Sequence, residues 1–219
     1  TRWANHESLD SVTNYECYKG IYSSHNDKNY FEIAHSLNRL FGAGGIYKDL
    51  CLYNFADNHD VNRLASTLKI SEHIYNVYTL LFTIPGVPSI YYGSEWGIEG
   101  RKENGSDAGL RPDIEKPQWN DLCSFIADFA SLRKKYKVLS DGDYANLYVQ
   151  NKQLLFRRRN DHEQMVLALN IADEPCTMPF EIGMDSAINP ITNESHSASE
   201  PLNMPGKSAS FFYSSFSDQ

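Results

Sequence analysis

The chain reads as an α/β fold followed by an antiparallel β part, and three observations predict it. Between residues 51 and 135, strand-like apolar runs alternate with stretches of helical periodicity, the pattern of repeated β/α units. One of those runs ends in four polar residues, Asp57-Asn58-His59-Asp60, as strands do when their ends carry chemistry. Beyond Ser140 the pattern changes to short alternating runs joined by turn pairs such as Asn151-Lys152 and Asn160-Asp161.

Residues 9–15, Leu9-Asp10-Ser11-Val12-Thr13-Asn14-Tyr15, form a short β-prone run. From 26 to 42 the apolar positions Tyr30, Ile33, Ala34, Leu37, Leu40 and Phe41 fall at helical spacing. Asn26 or Asp27 can cap this helix, and Gly42 with Gly44-Gly45 stops it. A strand is expected over 51–57, then a helix capped by Ser71 with Ile74, Tyr78, Leu81 and Phe82 as its buried stripe. Pro85-Gly86 ends that helix. Residues 87–92, bounded by Pro88 and Gly93, read as a short, fully buried parallel strand.

A polar loop over 95–119 is long for a compact domain, which marks it as functional. The next helix presents Leu122, Phe125, Ile126, Phe129 and Leu132 on one face, with Arg133, Lys134 and Lys135 favourable near its C-terminus. Strands are expected at 144–150, 153–159, 164–170, 175–180 and 208–213, in a self-contained antiparallel sandwich. The basic run Arg157-Arg158-Arg159 reads as a solvated edge of that sheet.

The net charge of −8 and a pI near 5.3 argue against nucleic-acid or anionic-membrane partners. No apolar run is long enough to span a membrane. Cys17, Cys51, Cys123 and Cys176 are scattered, with no Cys-x-x-Cys, so neither a zinc site nor a disulfide framework is indicated. Fourteen Tyr, eleven Phe and three Trp suit stacking on sugars and equally suit filling a core. Trp96 and Trp119 carry both readings.

The run from Cys51 to Asp60, with Arg63 close behind, organises the rest. Asn58-His59-Asp60 alone reads as a polar turn after a buried strand. In the form Phe55-x-x-Asn58-His59-Asp60, however, it resembles the fourth signature region of the α-amylase superfamily, glycoside hydrolase family 13. Gly86-Val87-Pro88-Ser89-Ile90-Tyr91-Tyr92-Gly93-Ser94-Glu95 is similar to the same family's eighth-strand signature and follows in the right order. The resemblance implies an α/β fold in which 1–140 is the C-terminal part, the last three β/α units, of a TIM-type β/α barrel. Residues 141–219 would then be a small antiparallel β-sandwich domain.

By the same resemblance Asp60 is a transition-state stabiliser that hydrogen-bonds hydroxyls of the distorted ring without attacking it. His59 would donate to the same sugar, and Asn58 would brace the strand end. Asp107-Ala108-Gly109-Leu110-Arg111-Pro112 is similar to a family loop whose Asp and Arg hold a more distant glucose, with Ala108 where proline is usual. Arg63 has two readings, a salt bridge in the barrel wall and a substrate contact. The family's nucleophile and general acid lie at strand ends upstream of Thr1, so the chain by itself is expected to be inactive.

The implied substrate is an α-glucan (starch, glycogen or maltodextrin), and hydrolysis the implied reaction. Transglycosylation at the same site, or a non-catalytic sugar-binding or scaffolding role, are the alternatives. No cofactor is expected within these residues, since the family's calcium ligands come mostly from the upstream part. An unpaired edge on the first strand would favour self-association.

Overall fold

The computed structural model describes residues 2–5, 7–103 and 105–216. Its first third is a pair of helices, α1 (Tyr15–Asn26) and α2 (Tyr30–Phe41). Helix α1 falls where no helical periodicity is read. Gly20, Ser23, Ser24 and Asn26 are weak helix formers, so packing must hold it. Asn14 caps it by accepting from the Cys17 amide at 3.0 Å. Gly20 lets α2 come close, because a Cβ there would sit 3.0 Å from the Ile33 side chain. Helix α2 keeps the expected stripe, but its cap is Asn29, because Asn26 and Asp27 belong to the end of α1.

Three parallel segments follow one another across the small barrel-like sheet. Residues 12–14 bond to Tyr53 of β1 (Tyr53–Phe55) through Tyr53 N–H to the Val12 carbonyl (3.1 Å) and Asn14 N–H to the Tyr53 carbonyl (2.9 Å). Strand β1 in turn pairs in parallel with β2 (Val87–Ser89). The 9–15 run therefore contributes one bridge rather than a full strand, and β1 and β2 are each shorter than expected. Buried Asn54 ties the layer together: it accepts from Asn14 Nδ2 at 2.8 Å and donates to the Pro85 carbonyl at 2.7 Å.

Between the strands run a one-turn helix α3 (Leu64–Thr67) and α4 (His73–Thr83). Glu72, not Ser71, precedes α4, and no side chain caps it. After the 95–119 loop come α5 (Asp121–Lys135), capped by Asn120, and the short α6 (Val138–Asp141).

From Asp143 the chain is antiparallel sheet. Strands β3 (Asp143–Val149), β4 (Gln153–Arg159), β5 (Glu163–Asn170), β7 (Ser186–Ile188), β8 (Ser195–Ser197) and β10 (Ser208–Ser215) make one sheet in the order β3-β4-β5-β10-β7-β8. A two-stranded ribbon, β6 (Cys176–Met178) with β9 (Leu202–Met204), is the second layer. Its Met178, Leu202 and Met204 close a core with Leu155, Val166, Ala168 and Phe212.

The opposite face of the large sheet is not closed on itself. Leu154, Phe156, Met165, Leu167, Leu169 and Phe211 join one continuous apolar cluster with α1, α2, α4 and α5. The expectation of a self-contained sandwich is thus corrected: one face of its large sheet packs against the helices. Asn76 of α4 adds a polar tie, donating to the Ser208 carbonyl at 2.9 Å.

The Arg157–Arg159 reading is also corrected. Strand β4 lies inside the sheet, and Arg158 points to the same face as Leu154 and Phe156. Its guanidinium is buried and donates to the carbonyls of Thr83, Leu139, Gly142 and Asp143 at 2.7–3.2 Å. It thus collects the C-terminal carbonyls of α4 and α6, where a cation is favoured. Burial pulls its pKa down to about 9.

Buried His25 makes the helical layer sensitive to acid. Its Nδ1 lies 2.7 Å from the Ile21 carbonyl, and its Nε2 lies 3.1 Å from the Tyr30 hydroxyl. Burial is the main cause that lowers its pKa from 6.5 to about 4, and neighbouring His73 lowers it further. The unfolded chain therefore takes up the proton first as pH falls. Stability present above pH 6.5 is lost down to about pH 4, an effect of about 3 kcal/mol. Urea midpoints of the wild type should fall across that window, and His25→Gln should flatten the fall. Equal slopes in the two proteins would refute this assignment.

Candidate active site

The polar cluster after β1 divides into an inward and an outward half. Ala56 and Asp57 are buried, while His59 and Asp60 stand exposed. Asp57 continues the strand into the wall, where its carboxylate accepts from the Leu64 amide (2.7 Å) and from Ser94 Oγ (2.8 Å). Burial raises its pKa, opposed by those two hydrogen bonds and by Arg63.

Asn58 turns the chain. Its Oδ1 accepts the Asp60 amide at 2.8 Å, a local turn that lifts the Asp60 side chain off the strand end. Its Nδ2 reaches the Tyr15 hydroxyl at 3.4 Å. His59 Nε2 sits 3.2 Å from Asp60 Oδ2, and each side chain is about half exposed.

Arg111 arrives from the long loop. Its guanidinium donates to the His59 carbonyl at 3.2 Å, to Asp60 Oδ1 at 3.5 Å and to Asp107 Oδ2 at 3.3 Å. Lys102 holds the other Asp107 oxygen at 3.0 Å. The result is a chain of alternating charge, Lys102–Asp107–Arg111–Asp60, ending against the His59 ring and open to solvent along its length. Exposed pairs of this kind are worth at most about 1 kcal/mol, so a sugar hydroxyl can replace any of them cheaply.

Arg63 does not belong to that open row. It is fully buried, which corrects the substrate-contact reading. Nor, among the described residues, does it form the salt bridge that was its other reading. Nε and Nη2 fork onto the Leu110 carbonyl at 3.1 and 2.7 Å, while Nη1 donates to the Tyr92 carbonyl at 2.6 Å and to Ser94 Oγ at 3.1 Å. The guanidinium also stacks 4.1 Å from the Tyr91 ring centre. Leu110 lies between Asp107 and Arg111, so Arg63 is the clamp that sets both over the strand ends.

The loop can fold this tightly because Gly100 and Gly109 touch. A Cβ on Gly100 would lie 2.4 Å from the Gly109 carbonyl oxygen. Arg63 N–H fixes the same crossing by bonding the Gly100 carbonyl at 3.0 Å.

The structure thus brings Asn58, His59, Asp60, Asp107 and Arg111 together on one open face. The sequence reading missed Lys102 and the Arg63 clamp. Both depend on the loop's path, which leaves no periodic signal. Among the described residues no group of three or more His, Cys, Asp or Glu side chains could hold a metal ion.

The family model described as alpha amylase, catalytic domain, matches residues 1–122. The chain belongs to the α-amylase family. A cyclomaltodextrinase from Geobacillus thermopakistaniensis is 24% identical over 185 residues, covering 82% of this chain and 31% of that protein. A 4-alpha-glucanotransferase from Thermotoga maritima is 25% identical over 161 residues, covering 59% of this chain and 36% of its own.

Among solved structures, a cyclomaltodextrin glucanotransferase with a three-domain ABC distribution superposes with a TM-score of 0.80 at 20% identity. The match covers 99% of this chain and 46% of that one. An Anoxybacillus α-amylase gives 0.78 at 20% identity, covering 96% and 48%. The chain therefore spans about a third of these curated relatives and about half of these α-amylase-family structures.

Proposed function

We propose that the chain is the C-terminal portion of a retaining α-glucoside hydrolase acting on starch, glycogen or maltodextrin. On this reading residues 1–140 supply the last three β/α units of the catalytic barrel, and 141–219 supply a C-terminal β-domain. The observation that carries the proposal is the half-exposed Asp60 carboxylate. It is presented at the end of β1 between His59 and Arg111, on the face where barrel strands carry their chemistry.

As the sugar ring flattens toward its oxocarbenium-like state, hydrogen bonds from its hydroxyls to Asp60 strengthen, which lowers the barrier selectively. His59 adds a donor or acceptor to the same ring. Asp107 and Arg111, five residues of loop held by Arg63, suit the next glucose unit. The bond-breaking carboxylates come from the upstream part of the parent protein.

Transfer to a sugar acceptor instead of water is the second reading. It is supported by relatives named 4-alpha-glucanotransferase and cyclomaltodextrin glucanotransferase beside the cyclomaltodextrinase. The 219-residue chain should give no turnover on maltodextrin or an activated maltoside, since the covalent intermediate needs a nucleophile and no Asp or Glu of this sequence matches the family's nucleophile position. Turnover above a buffer blank that Asp60→Asn abolishes would contradict this. Among the described residues the 12–14 segment pairs with the sheet only on its β1 side, so we also expect self-association through its other, unpaired edge. A monodisperse monomer by light scattering would remove the association alone.

A further inference from the structure

The run Arg157-Arg158-Arg159 contains one cation that the fold does not absorb. Arg158 is taken up by the carbonyls of Thr83, Leu139, Gly142 and Asp143. Arg159 lies over the Phe216 ring, its guanidinium carbon 4.4 Å from the ring centre. Arg157 has no such partner. Its Nε is buried without an acceptor among the described residues, and Nη2 comes no nearer than 4.0 Å to Asp143 Oδ2, beyond hydrogen-bond reach. Only 23% of the side chain is exposed. A charged donor shut in this way calls for an acceptor from outside the chain.

Arg157 lines a cavity of about 290 Å³ at the seam between the helical layer and the large sheet. Strand β3 is the edge of that sheet, and Arg157 stands opposite its Ala145 in the register. The small alanine leaves room for the arginine beside β3. Asn146 of the same strand holds the seam together by donating to the Ala34 carbonyl of α2 at 3.2 Å. Asn38 and Lys48 line the cavity from the helical side. Both are exposed, and among the described residues neither side chain makes a hydrogen bond or ion pair.

The charged groups around the cavity are Arg157, Lys48 and Asp143, which leaves it net positive. Arg158 adds to this from below, since its Nε donates to the Asp143 carbonyl at 3.0 Å. The C-terminus of α2 carries the opposite polarity. Its carbonyls are already engaged, however: those of Asn38, Arg39 and Leu40 accept from the amides of Gly42, Ile46 and Tyr47. They do not compete for the two cations.

We propose that this seam binds a phosphate group, either free or as the monoester of a small molecule. The planar guanidinium of Arg157 donates through Nε and Nη2 to two of its oxygens, the geometry that arginine favours with tetrahedral oxyanions. Lys48 supplies the second cation, and the Asn38 amide donates to a third oxygen. Asp143 opposes the charge but accepts from a hydroxyl, whether on the phosphate or on its organic part. The bound group joins α2 to β4 and so ties the helices to the C-terminal sheet. None of this depends on the reading of Asp60.

Thermal denaturation of the 219-residue chain in about 10 mM inorganic phosphate, against chloride at equal ionic strength, tests it. A dissociation constant of about 1 mM, the scale of two cations at a site open on one side, raises the midpoint by about 4 °C. Lys48→Ala changes an exposed position that packing does not need, and should weaken binding roughly tenfold and remove most of the shift. Arg157→Lys keeps the charge but loses the fork, and should weaken binding by a similar factor. Asp143→Asn removes the opposing carboxylate and should strengthen binding roughly threefold. Glycerol 1-phosphate at the same concentration separates the two sources: a larger shift assigns the monoester, and an equal or smaller one assigns the free ion. A wild-type midpoint no higher in either phosphate than in chloride, or a shift that Lys48→Ala and Arg157→Lys both leave intact, would overturn the proposal.

Discussion

Asp60→Asn in the proposed parent enzyme is expected to lower kcat by about a thousandfold or more, the scale of losing an electrostatic contact made chiefly in the transition state. The substitution keeps the shape and the local turn, since that turn is made by the Asp60 amide and Asn58, not by the carboxylate. What it removes is negative charge facing the developing cation on the sugar. KM should change far less than kcat, because the ground-state sugar is neutral. The thermal midpoint should stay nearly unchanged, since the carboxylate is half exposed and its contacts with His59 and Arg111 are open to water. A variant with undiminished turnover would remove Asp60 from the mechanism.

The largest expected effect on stability lies far from that cluster. Arg158→Met keeps much of the aliphatic bulk but leaves the buried carbonyls of Thr83, Leu139, Gly142 and Asp143 without their donor. Unsatisfied buried acceptors cost about 1–3 kcal/mol each, partly relieved by relaxation, so a net loss of about 3–4 kcal/mol is expected. For a chain of this size that is roughly a 10 °C drop in the thermal midpoint. Arg158→Lys retains the charge but loses the fork that reaches several carbonyls at once, and should fall between the two. Urea titration measures the difference. A loss under about 1 kcal/mol for Arg158→Met would mean that water replaces the guanidinium.

These two residues also mark what the sequence could and could not say. The exposed place of Asp60 beyond the end of β1 was legible because a strand-like run ends in polar residues. Arg158 was misread as part of a charged edge, although its alternation with Leu154 and Phe156 places it on their face. A run of three arginines hid that period. Helix α1 was not legible for the opposite reason: Gly20, Ser23 and Ser24 are poor helix formers, and only the close approach of Ile33 and the cap at Asn14 hold them helical.

Helix α2, strands β4 and β5 and helix α5 follow their periodic patterns closely. Strands β7, β8 and β9 are three residues each, too short to show alternation in a segment rich in Ser, Asn and Pro. Arg63 stood close enough to Asp60 to be read as a site residue. Its direction is set by carbonyls at positions 92 and 110, which no local pattern reports.

The central claim is that the Asp60 cluster receives an α-glucan. A crystal structure of the chain, or of its full-length parent, with bound maltoheptaose tests it most directly. The account predicts one glucosyl ring with hydroxyls in hydrogen-bond reach of Asp60 and His59, and the next ring against Asp107 and Arg111. A saccharide bound elsewhere, with Arg111 still closed on an empty Asp60, would contradict it.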